Sequence, residues 1–256
     1  MSIKVDFNCD MGESFGMYKL GYDEEIIKYI TSANIACGFH AGDPMWMSKT
    51  VNMAEEYNVG IGAQPSYPDL MGFGRRDLAV TPLEAINDLT YQIGALIAFT
   101  RKKKLQHVKP HGAMYNKAVA DEQLARAICQ AVLNVDPDMI IVALAGSEWI
   151  GIAQEMGLSV AREAFADRAV RSDGTLVPRS EPGSVIHDVD SVVERSVKMI
   201  TQNRVIAITG EELTIHADSI CLHGDTPGAL EMAKAVKSGL ENAGVEIKTM
   251  TDVVSR

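Results

Sequence analysis

The sequence predicts an α/β protein built on a parallel sheet. Two observations carry that prediction. Short apolar runs alternate with amphipathic helical stretches along all 256 residues. A polar cluster also follows most of the apolar runs, as expected where parallel strands end at a ligand site. Strands are expected over residues 3–9, 32–37, 59–63, 107–109, 139–144, 159–164, 206–208, 219–222 and 245–249. Between them, Thr81-Pro82-Leu83-Glu84 has the form of a capping box with proline at the first helical position, and Leu83, Ile86, Leu89, Ile93, Leu96 and Ile97 follow at helical spacing. Asp43-Pro44 and Thr226-Pro227 repeat the cap-then-proline device, the second leading into Leu230, Ala233, Val236 and Leu240. Leu124, Ile128 and Val132 mark a further helix, and Val189, Val193, Val197 and Ile200 another. No shift of composition and no repeat divides the chain, so residues 1–256 read as one domain.

Composition narrows the function classes. A hydrophobic fraction of 46% with 23% charged residues suits a folded globular protein and excludes a disordered or fibrous one. Lys+Arg 24 against Asp+Glu 34 gives a net charge of −10, and the longest basic cluster is 101–104, so no footprint for nucleic acid is expected. Cys9, Cys37, Cys129 and Cys221 form no C-x-x-C pair, which points away from a zinc cluster or disulfide framework and towards a reducing cytoplasm. No signal peptide and no membrane anchor are expected, because the start turns acidic early and the most apolar helical run, 93–99, is far shorter than the ~20 residues a bilayer requires.

Six polar clusters follow predicted strands: Asn8-Cys9-Asp10-Met11-Gly12-Glu13, His40-Ala41-Gly42-Asp43, Gln64-Pro65-Ser66-Tyr67-Pro68-Asp69, Lys109-Pro110-His111-Gly112, Asp167-Arg168 and His223-Gly224-Asp225-Thr226. On one face of a parallel sheet they would make one site. Asp10 and Glu13 suit metal ligation or general-base work, unless Asp10 only caps a turn. His40, His111 and His223 occupy equivalent strand-end positions and suit metal ligation or proton transfer, whereas His107, His187 and His216 read as ordinary histidines. Lys109 could polarise a carbonyl, hold a carboxylate, or pair with Asp10 or Glu13. Gly72-Phe73-Gly74-Arg75-Arg76 ends in two guanidinium groups able to clamp a carboxylate or phosphate, while Arg179 is as readily a surface charge. The helix start at Thr226-Pro227 offers a generic anion site. The sequence has no G-x-x-x-x-G-K-[ST] loop. Pro65 interrupts a dinucleotide fingerprint after Gly60-Ile61-Gly62, and no G-x-S-x-G elbow occurs.

Taken together, these segments, with Ala33-Asn34-Ile35-Ala36-Cys37-Gly38-Phe39, Glu163-Ala164-Phe165-Ala166 and Cys221-Leu222, resemble the LamB/YcsF family over nearly the whole chain. The resemblance implies a distorted (β/α) barrel of about seven strands, related to the glycoside hydrolase and polysaccharide deacetylase superfamily. It also implies a part in ATP-dependent opening of 5-oxo-L-proline to L-glutamate together with 5-oxoprolinase subunits B and C. The ATP would be consumed by the complex, since this chain carries no nucleotide motif. On this reading Asp10, Glu13, His40, Lys109 and His111 are catalytic, and Asn8, Arg75, Arg76, Asp167, Arg168, His223 and Asp225 bind substrate. Asp10, His40 and His111 would hold a divalent metal. Two departures stand out: the family usually has His where Gln64 precedes Pro65, and tends to have Tyr where Val170 stands. If that His is catalytic or a ligand, activity here is expected to be reduced or altered. The rival readings are a stand-alone metal-dependent amide hydrolase and a non-catalytic binding subunit, with a homo-oligomer left open.

Overall fold

The computed structural model describes residues 2–224 and 226–254. In chain order its elements are β1 (Lys4–Met11), α1 (Asp23–Ile26), β2 (Ser32–Ala36), α2 (Pro44–Glu56), β3 (Gly60–Gln64), α3 (Pro82–Phe99), β4 (His107–Val108), α4 (Gly112–Ala118), α5 (Glu122–Val135), β5 (Ile140–Leu144), α6 (Glu148–Glu155), β6 (Ser159–Phe165), α7 (Val189–Thr201), β7 (Arg204–Ile206), β8 (Glu212–Thr214), β9 (Ser219–Leu222), α8 (Ala229–Asn242), β10 (Glu246–Ile247) and α9 (Met250–Val253). Seven strands, β1-β2-β3-β4-β5-β6-β9, pair in parallel, and β9 returns to β1 through Asp6↔Ser219 and Asn8↔Cys221 to close a barrel. Among the described residues no helix is long and apolar enough to cross a membrane.

β1 shows how the sequence builds the barrel. Its odd positions, Val5, Phe7, Cys9 and Met11, join the apolar layer between strands and helices. Each such side chain contributes about 1.5–3 kcal/mol by leaving water. Its even positions, Asp6, Asn8 and Asp10, are just as buried but point into the barrel. A period of two usually marks a strand with one wet face, yet here both faces are dry and the polar face is satisfied by other strands. The Asn34 amide donates to Asn8 Oδ1 at 2.7 Å and Asp10 Oδ1 at 2.9 Å, and Asn8 donates to Glu163 at 3.1 Å. His107 Nε2 donates to Asn34 Oδ1 at 2.7 Å, and burial pushes its pKa down to about 3, so it is a neutral core histidine. Gly62 makes room for it, because a Cβ there would collide with the imidazole of His107.

The helices form the outer layer. α3 starts with the capping box expected at Thr81, whose backbone N–H donates to Glu84 at 2.7 Å, and Leu89, Ile93 and Leu96 are fully buried. Asp43 caps α2 by accepting from the N–H groups of Met45 and Trp46. Three expectations need correction. The helix expected from Thr226-Pro227 begins later, at Ala229, because Gly228 takes a left-handed conformation (φ +83°) and serves as its N-cap. The helix N-terminus on which the generic anion site was expected therefore lies at Gly228 and Ala229 rather than at Thr226. The run 206–208 is not a barrel strand either. β7 pairs antiparallel with β8 in a hairpin beside α7, a strand that the charged residues around Leu213 hide from apolar-run reading, and Ile206 and Ile208 remain largely exposed. Finally, the terminal strand shrinks to β10, which pairs with Lys4 and Val5 at the start of β1, outside the barrel closure.

Candidate active site

At the carboxyl ends of the barrel strands lies a cavity of about 470 Å³, whose lining includes Asp10, Lys109, His111, Phe165 and His223. Its floor is an ionic cluster. Lys109, only 3% exposed, donates to Glu163 Oε1 at 2.7 Å and Asp10 Oδ1 at 3.2 Å, with Cys221 Sγ at 3.0 Å. Burial opposes the ammonium charge, but Asp10 and Glu163 outweigh it and hold the lysine pKa well above its usual value. Burial likewise works against the Asp10 carboxylate, but the charge of Lys109 dominates and keeps it ionised. Both groups are therefore charged at neutral pH. Removing one member of such a buried set leaves the others uncompensated, at a cost of about 3–5 kcal/mol.

Above β1–β4 His111 lines the cavity, with Glu13 and His40 buried behind it. Gly12, at φ +68°, turns the chain at the end of β1 so that Glu13 meets the histidines. The two imidazoles stack with centroids 4.0 Å apart and planes 9° apart, and Phe73 packs edge-on against both. The approach depends on Gly74 (φ +65°), where a Cβ would lie 2.9 Å from His40 Cβ and 3.0 Å from His111 Cδ2. His111 Nε2 donates to the Phe73 carbonyl at 3.0 Å, leaving Nδ1 as the lone-pair nitrogen. That nitrogen faces Glu13 Oε1 at 3.7 Å and receives a hydrogen bond from Gln64 Nε2 at 3.1 Å. Among the described residues neither ring nitrogen of His40 has a hydrogen-bond partner, although the residue is wholly buried. Burial pushes His40 well below the ordinary histidine value and His111 to about 3, so both rings are neutral. Ligand atoms of Glu13, His40 and His111 lie within 4.8 Å of one another. Buried neutral imidazoles with unused lone pairs beside a carboxylate fit a divalent cation. A backbone carbonyl holding the far N–H of His111 is the usual support for a ligating histidine. Asp10, expected among the ligands, comes within 3.8 Å of His111 Nδ1, but its other oxygen is taken by Lys109 and Asn34. Glu13 completes the compact set instead.

The opposite wall carries His223, beyond β9. Its Nδ1 lies 2.9 and 3.0 Å from the two oxygens of Asp167, and its ring stacks on Phe165. Burial works against the Asp167 carboxylate, but His223 outweighs it and the carboxyl stays below its ordinary value. Asp167 thus fixes Nδ1 as the protonated nitrogen, and Nε2 is left to serve the cavity. Arg75, Arg168 and Arg179 add positive charge to the lining. Arg168 also ties down the loop 170–182 by donating to the carbonyls of Val177 at 2.6 Å and Ser184 at 3.2 Å.

The remaining expected residues fall elsewhere. Arg76 is bonded to Asp69 at the surface, where its side chain is 63% exposed, and does not line the cavity. Asn8 sits beneath the floor, bonded to Ser219 and Glu163. Val170 packs in the apolar core. Asp225 lies outside the described residues. Sequence reasoning misses Glu163: in Ser159–Phe165 the adjacent Arg162 faces out to Asp218 while Glu163 faces in, and a lone Arg-Glu pair does not say which is which. It also misses Phe73 and Phe165 as aromatic supports, and Arg179 proves to line the cavity.

The model of the LamB/YcsF family matches residues 5–255. The chain belongs to the LamB/YcsF family. Among curated members, the 5-oxoprolinase A subunit of Pyrococcus furiosus is 54% identical over 254 residues, covering 98% of this chain and 100% of that protein. The 5-oxoprolinase A subunit of Clostridium beijerinckii is 55% identical over 246 residues, covering 95% and 96%. A crystal structure of a lactam utilization protein from Thermus thermophilus superposes with a TM-score of 0.91 at 45% identity, covering 96% of this chain and all of that one. A β-1,4-mannanase complex matches with a TM-score of 0.51 at 10% identity over 94% of this chain and 99% of its own, a likeness of fold alone. The family resemblance and the seven-stranded barrel expected from the sequence are thus both borne out.

Proposed function

We propose that this chain is the ring-opening A component of an ATP-dependent 5-oxoprolinase, converting 5-oxo-L-proline to L-glutamate with subunits B and C in the cytoplasm. Full-length identity above 50% to 5-oxoprolinase A subunits supports the substrate class. One observation carries the chemistry: a proton-transfer pair, Asp167 and His223, faces His111 across one cavity, and His111 belongs to a ligand-type cluster with Glu13 and His40 buried behind it. Four unpaired, buried cysteines suit a reducing compartment.

A five-membered lactam is a resonance-stabilised amide, so opening it requires three things: an activated water, charge stabilisation at the carbonyl oxygen, and a proton for the departing nitrogen. His223 Nε2 takes a proton from the attacking water and returns it to the ring nitrogen as the C–N bond breaks, while Asp167 stabilises the imidazolium formed between those events. The Lys109 ammonium supplies positive charge for the oxyanion. Ionised Asp10 is an acceptor for the lactam N–H. Arg75 and Arg179, towards the rim, suit the substrate carboxylate or, where subunits B and C have used ATP to phosphorylate the carbonyl oxygen, that phosphoryl group, which stays on the acyl carbon as the C–N bond breaks and leaves as phosphate when a second water hydrolyses the acyl phosphate. Glu13, His40 and His111 are the residues that would hold a divalent ion, which when bound would polarise the carbonyl.

The experiment is reconstitution: purified chain, cognate B and C subunits, ATP, Mg²⁺ and 5-oxo-L-proline, with glutamate measured and each component omitted in turn. Glutamate only from the complete mixture is expected. Glutamate from this chain by itself, without ATP, would establish a stand-alone amide hydrolase instead. None from a mixture that is competent with the corresponding chain of another family member would leave a binding role.

A further inference from the structure

Gln64, the last residue of β3, is completely buried beside the stacked histidines. Its Nε2 donates to His111 Nδ1, the lone pair that a metal ion at Glu13, His40 and His111 would need. Its Oε1 is buried and, like both ring nitrogens of His40, makes no well-formed hydrogen bond among the described residues, although Gln64 lies close enough to His40 to favour its protonated form. Three unsatisfied polar atoms thus surround the nitrogen on which the amide donor sits. A carboxamide carries donor and acceptor on opposite sides of one plane, so half a turn about its last torsion exchanges them with almost no change of shape.

We infer that Gln64 is the fourth ligand-bearing residue of this site: its amide turns so that Oε1 replaces Nε2 towards the cluster, releasing His111 Nδ1 and adding an amide oxygen to a divalent ion held with Glu13, His40 and His111. The inference rests on the metal reading above. Two imidazole nitrogens, one carboxylate oxygen and one amide oxygen form a set for Zn²⁺ or Mn²⁺ rather than for all-oxygen ions such as Mg²⁺ or Ca²⁺. The amide side chain is thereby a latch: with no ion it occupies the ligand nitrogen, and with one it joins the ion.

The test is calorimetric titration of Zn²⁺ into chelator-treated full-length chain, for wild type, Gln64→Leu, Gln64→Met and His40→Ala, with circular dichroism as the check on folding. Wild type should bind one ion, His40→Ala should lose that binding, and both Gln64 variants should bind at least roughly tenfold more weakly. Gln64→Met keeps the length and flexibility of the side chain if the branched Gln64→Leu fails to fold. Binding in the Gln64 variants equal to or tighter than wild type would overturn the inference, because an amide that merely competes for His111 Nδ1 slows or weakens binding when present. Absence of binding by wild type would overturn the metal reading itself, and this inference with it.

Discussion

Two walls of one cavity present the same side chain in opposite conditions. His40, His111 and His223 each stand just beyond a barrel strand, and each is buried, yet their ring nitrogens are committed differently. On the β6–β9 side Asp167 captures Nδ1 of His223 and fixes which nitrogen can exchange a proton. On the β1–β4 side no carboxylate lies within hydrogen-bond distance of His40 among the described residues, and the nearest acid atom paired with it is Glu13 Oε1 at 4.0 Å. Topology brings the imidazoles to the mouth, and the second residue at each one decides between moving a proton and lending a lone pair.

The largest effect expected from breaking this difference is at Asp167. Asp167→Asn keeps the shape but no longer enforces the Nδ1–H tautomer, so kcat of the reconstituted enzyme should fall by about 10²–10⁴ while Zn²⁺ affinity stays at the wild-type value. Full turnover would remove the proton-transfer role from that wall, and loss of Zn²⁺ affinity would show that the walls are not independent.

A second effect concerns the buried polar column on which both walls stand. Asp6, accepting hydroxyl hydrogen bonds from Ser32, Thr31 and Ser219, is pushed up by burial to about 6 from 3.8, the hydroxyls only partly offsetting it. Its folded pKa lies above the unfolded one, so its contribution to stability is complete below about pH 4 and is lost as pH rises through about 6, a change on the order of 3 kcal/mol. Asp6→Asn cannot ionise. Chemical unfolding at pH 4.5 and 7.5 should show the variant gaining on wild type at the higher pH, and an equal difference at both would contradict the raised pKa of Asp6.

The smallest effect is at Arg76. Its guanidinium is exposed but the Asp69 carboxylate it meets is buried and keeps the backbone N–H groups of Gly72 and Arg76, so Arg76→Ala should lower Tm measurably and leave glutamate formation nearly unchanged. A large loss of turnover would return Arg76 to the substrate site.

How much of this the sequence reveals differs from residue to residue. Strand-end clusters and capped helices are legible because each rests on local chemistry: Thr81 and Glu84 bond each other's backbone wherever the chain goes, and polar residues after apolar runs gather at one end of a parallel barrel. What stays hidden depends on the direction of a side chain. Arg75 lines the cavity and its neighbour Arg76 does not, Glu163 points in and Arg162 out, and Glu13 rather than Asp10 completes the histidine cluster because Gly12 turns the chain between them. The helix after His223 starts late for a similar reason, since one left-handed glycine outranks the Thr-Pro signal before it. The inward face of β1 is also ambiguous, because alternation of polar and apolar residues looks alike whether the polar face meets water or other strands.

The most direct test of the division between the walls is a long-range ¹H–¹⁵N spectrum of ¹⁵N-histidine-labelled chain during addition of Zn²⁺. Ring nitrogens of His40 and His111 should shift at one equivalent, with His111 binding through Nδ1, while His223 keeps its protonated Nδ1. Loss of the His223 Nδ1 proton while His40 and His111 stay unmoved would put the ligand chemistry on the opposite wall and contradict that division.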